Sequence, residues 1–72
     1  MNETSVILAP KYVPLMFTLK GSDEVKYGYF NGVAFIVGFT NPKLVNIKTL
    51  NKIIQHLPKL HHSNVERFKQ LP

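Results

Sequence analysis

The chain reads as an α+β domain, an antiparallel β-meander followed by two helices packed on one sheet face. Three observations predict it. Asn31-Gly32 sits between two strand-like runs, apolar residues alternate along 13–39, and beyond Thr40 the apolar spacing widens from two residues to three and four.

Asn-Gly favours a type I′ hairpin turn, because both central residues of that turn need positive φ. A two-residue loop places Phe30 opposite Val33 and Tyr29 opposite Ala34. One face then carries Gly28, Phe30, Val33, Phe35, Val37 and Phe39, and the other Tyr27, Tyr29, Ala34 and Ile36. In the preceding run, Gly21-Ser22-Asp23-Glu24 reads as a turn that pairs Phe17 with Gly28. Leu15, Phe17 and Leu19 join the first face, while Met16, Thr18 and Lys20 join the second. Both turns thus agree on one apolar face. The expected strands cover about 5–9, 12–20, 25–30 and 33–40.

Helical spacing follows. Ile47, Leu50, Ile53, Ile54 and Leu57 fall on one side of a helix over about 46–57, with Asn46 as N-cap and Pro58 as the stop. Ser63-Asn64-Val65-Glu66 has the form of a capping box opening a second helix over about 64–71, with Val65, Phe68 and Leu71 on one side. Both helices are expected over the first sheet face, completing a single small domain from 1 to 72.

The charge is lopsided. Lys11, Lys20 and Lys26 balance Glu3, Asp23 and Glu24 in residues 1–39, so the net charge of +5 lies wholly in residues 40–72. There Lys43, Lys48, Lys52, Lys59, Arg67 and Lys69 face Glu66 alone. Such a balance points to a polyanion, DNA or RNA. Lys48, Lys52 and His56 form a row along the first helix, and with Lys43, Lys59, Arg67 and Lys69 they make the candidate phosphate-contacting set.

Asn31-Gly32-Val33-Ala34-Phe35-Ile36 resembles part of the RNP1 signature of the RNA-recognition motif family, sharing its Gly, its Ala and its first Phe. The basic first residue of that signature is absent, and Gly38 stands where its last ring belongs. The positions that stack on RNA in that family correspond to Val33 and Phe35, which the alternation assigns to the core.

Met16, Thr18, Lys20, Tyr27, Tyr29 and Ile36 share the face expected to lie open. They form the candidate surface for a protein partner or a second copy of the chain, the alternative to nucleic-acid binding.

Other classes find less support. With no cysteine there is no disulfide or thiolate site, and His56, His61 and His62 match no zinc spacing, so neither metal nor cofactor is expected. Four carboxylates form no nucleophile–base arrangement, which predicts a non-enzyme without a small-molecule substrate. The longest apolar run, Val33–Val37, is far too short to cross a membrane, and no basic stretch precedes the apolar residues near the N-terminus. A cytoplasmic protein with no membrane partner is the expectation.

Overall fold

Gly38 donates its amide to the Tyr27 carbonyl at 2.8 Å and closes the central hairpin around which the other strands assemble. In the computed structural model, which describes residues 9–72, five antiparallel strands form one sheet. They are β1 (Leu15–Leu19), β2 (Val25–Phe30), β3 (Ala34–Val37), β4 (Lys59–His61) and β5 (Val65–Gln70), arranged β4-β3-β2-β1-β5. A 3-10 turn, Pro42–Leu44, leads into α1 (Ile47–Ile54), and a second, His62–Asn64, joins β4 to β5. The expected strand at 5–9 falls outside the described residues except for Ala9, which is buried.

Both hairpins form, each in a register two residues from the expected one. Phe30 pairs with Phe35 and Gly28 with Val37. The cause is Asn31, whose side-chain Oδ1 accepts the amides of Val33 at 2.9 Å and Ala34 at 2.8 Å. This moves the tip to Gly32-Val33, with only Gly32 at positive φ, and leaves Val33 exposed. In the first hairpin Met16 pairs with Tyr27 and Thr18 with Val25. A two-residue slip preserves the faces. Leu15, Phe17, Phe30 and Phe35 are accordingly buried together, joined by Ala9 and Val65.

The expected pair of helices is overturned in two respects. Residues 65–70 are a strand, paired antiparallel with β1. Leu19 faces Val65 while Thr18 faces Arg67, so Glu66 is an extra residue in the ladder, a β-bulge. The bulge puts Val65 and Phe68, three apart in sequence, on one sheet face, and that spacing imitates a helix. Nor does the capping box form. The Ser63 amide instead donates to His61 Nδ1 at 3.2 Å.

The second correction concerns α1. It begins as expected, with Asn46 Oδ1 accepting the Thr49 amide at 2.8 Å, but ends at Ile54. It packs on the second sheet face, where Leu50 is buried against Tyr29 and Ile36 and Ile54, Leu57, Val45 and Phe39 gather round. Gly38, at φ +103°, breaks the strand alternation, and Phe39 belongs to this cluster rather than to the first face. Both faces of the central hairpin are apolar, so alternation alone does not choose which one a helix covers.

Candidate functional site

α1 covers only the β2–β3 part of the second face. Tyr29 and Ile36, expected to be open to a partner, are essentially inaccessible beneath it. The Tyr12 ring stacks on Tyr29 at 5.8 Å between centroids. Burial raises the Tyr29 hydroxyl above its ordinary pKa, and the neighbouring Tyr12 adds to the shift.

The β1–β5 part of the same face stays open. Tyr27, Met16 and Lys69 form one cross-strand row there, and Val25, Thr18 and Arg67 the next. Tyr27 is half-exposed. A groove of about 380 Å³ runs beside these rows, and Met16, Thr18, Arg67 and Lys69 line it. Asp23 and Glu66 line it too, so its charge is mixed. Glu66, the extra residue of the bulge, lines the groove together with Arg67. Members of the two sequence-derived sets therefore meet here. Lys20 lies past the end of β1, exposed, its amide bonded to the Asn64 carbonyl at 2.9 Å.

The basic residues do not form one continuous row. β4 and β5 are opposite edges of the sheet, four strand spacings apart, which is roughly 19 Å at about 4.8 Å each. Lys59 therefore stands well away from Arg67 and Lys69. It is also engaged, its Nζ donating to the carbonyls of Ile54 at 2.6 Å and Leu57 at 3.3 Å, where it satisfies the end of α1. His56 lies beyond the helix end and is exposed.

Lys43, Lys48 and Lys52 are a different case. Lys43 is in the 3-10 turn ahead of α1, and Lys48 and Lys52 are one helical turn apart. All three are exposed. The one ion pair among the described residues is Lys26–Glu24, at 3.5 Å. No Asp or Glu occurs anywhere from residue 25 to residue 65.

Two residues beside these lysines were not foreseen as surface features. Leu44 is 80% exposed and Ile47 66%. Ile47 keeps the apolar spacing of the helix, and nothing in that spacing distinguishes it from the packed Leu50.

His61 and His62 belong to the β4–β5 connection. His61 Nδ1 lies 2.8 Å from Ser63 Oγ, and the His61 and His62 rings are 4.2 Å apart. Among the described residues no three His, Asp or Glu side chains are grouped to hold a metal ion, and no helix is long and apolar enough to cross a membrane. No family model, curated protein or solved structure matches the chain.

Proposed function

We propose that the chain is a non-enzymatic nucleic-acid-binding protein that contacts phosphates through Lys43, Lys48 and Lys52. One observation carries this reading. Three exposed lysines cluster on one helix and its lead-in, within a stretch from 25 to 65 that has no carboxylate to compete for them. A phosphate backbone supplies the missing negative charge, and each contact releases condensed counterions.

Three phosphate contacts give a slope of about −2.7 in log K against log salt on duplex DNA, because each contributes about −0.9. Titration of the full chain with mixed-sequence DNA and RNA, followed by amide NMR across a salt series, measures it. Shifts at Lys48 and Lys52 that fade with salt support the reading. Each Lys→Gln substitution in the set should lower the slope by about 0.9. If no amide moves at low salt, the reading fails.

A second reading rests on the β1–β5 groove. Its mixed charge, with Arg67 and Lys69 beside Asp23 and Glu66, suits a polypeptide better than a uniform polyanion. Tyr27 and Met16 would supply the apolar contact. Association through this surface would depend weakly on salt and would be lost in Tyr27→Ser.

A further inference from the structure

We infer that Leu44 and Ile47 form an apolar wedge that enters the minor groove of duplex DNA and partly unstacks one base step. The inference rests on the nucleic-acid reading above and assigns a role to residues that phosphate contact leaves unexplained.

Leu44 and Ile47 are the two most exposed large hydrophobic side chains among the described residues, at 80% and 66%. Their projection is built in. Between and before them, Pro42 is buried and Val45 packs against the Tyr29–Ile36–Leu50 cluster, which anchors the segment from beneath. The Leu44 amide donates to the Asn41 carbonyl at 3.2 Å, and the Asn46 cap fixes the start of α1 immediately ahead of Ile47. The two side chains therefore stand on a braced turn.

Charge and size select the partner. Lys43 precedes Leu44 and Lys48 follows Ile47, so cations bracket the apolar pair. Minor-groove proteins insert apolar side chains between base steps beside Lys and Arg, and lysines also hold a protein on the duplex by contacting phosphates. A membrane-surface helix instead needs a continuous apolar face. α1 does not offer one, because Leu50 and Ile54 are committed to the sheet. Two aliphatic side chains suffice for a wedge and are few for an anchor.

The test uses the full chain and a short duplex with a central TA step, which unstacks readily. A fluorescent adenine analogue beside the step brightens when stacking is lost. The wild type should raise its emission on binding. The double variant Leu44→Ala/Ile47→Ala should keep its melting temperature and salt slope, abolish the emission rise, and weaken binding about tenfold. If the wild type binds in a salt-dependent manner with flat emission, or the variant retains the rise, the wedge is refuted and phosphate contact stands. If no duplex binds at low salt, the wedge is refuted, and the RNA arm of the titration above decides whether phosphate contact stands. If the wild type instead sediments with phosphatidylserine vesicles and the variant does not, the apolar pair serves a membrane surface and the wedge is again refuted.

Discussion

Tyr29 lies between two neighbours of opposite character, Ile36 paired with it across the sheet and the Tyr12 ring stacked on it at 5.8 Å. Burial and the second phenol both favour its neutral form, so its pKa is higher in the folded state than the ordinary 10.0. The folded protein then holds a proton that the unfolded chain releases above pH 10. This contribution is intact below that pH and is lost as pH rises toward the folded value. Urea unfolding of wild type and Tyr29→Phe from neutral to strongly alkaline pH should show a stability loss that is smaller in the variant. Parallel curves would refute it.

Gly28 faces Leu15 on one side and Val37 on the other, and a Cβ there would overlap the Ile36 carbonyl oxygen. Gly28→Ala must push β2 and β3 apart, and a loss of about 3 kcal/mol or more is expected. Gly21 provides the contrast. It has open space around its Cα but sits at φ +77°, so Gly21→Ala should cost only about 1 kcal/mol. Denaturant midpoints of the two variants test the order.

The Asn31 side chain holds the central hairpin by accepting two backbone amides. Asn31→Ala removes the acceptor and should cost about 1–2 kcal/mol. Asn31→Asp keeps it and should cost far less. Equal losses would mean that the side chain does not set the register.

Glu66 is needed as a residue but not as a side chain. Being exposed, it should tolerate Glu66→Ala within about 0.5 kcal/mol. Deleting it is another matter, since removal of the bulge sends either Val65 or Phe68 to the wrong face of the sheet. A loss of about 3 kcal/mol or outright unfolding is expected from the deletion, by circular dichroism and urea melts. A deletion variant as stable as wild type would show that β5 is not held by this register.

How much of this was legible beforehand depends on the range of the interaction. Local chemistry was readable. Asn46 announces the start of α1 and caps it, and β2 occupies the expected residues 25–30. The apolar grouping of Leu15, Phe17, Phe30 and Phe35 follows from period-two alternation and survives both register slips, because a slip of two residues does not change a face. The concentration of positive charge after residue 40 is likewise a property of the chain alone.

Tertiary pairing decided the rest. Val65 and Phe68 have a spacing that suits a helix in isolation, yet the edge of β1 away from β2 offers backbone partners, and the bulge lets the same residues pair there and complete the sheet. Tyr29 and Ile36 offer bulky side chains for burial as the residues of the opposite face do, so which face α1 covers is set by packing across the whole domain rather than by local pattern. The candidate sites followed that choice. Once α1 lay on the second face, Tyr29 and Ile36 were buried, Tyr27 and Met16 stayed open beside Arg67 and Lys69, and Leu44 and Ile47 were left projecting among lysines. Propensity, charge and alternation are carried by neighbouring residues along the chain. The surfaces that remain uncovered depend on contacts between residues far apart in it, and those contacts exist only in the folded state.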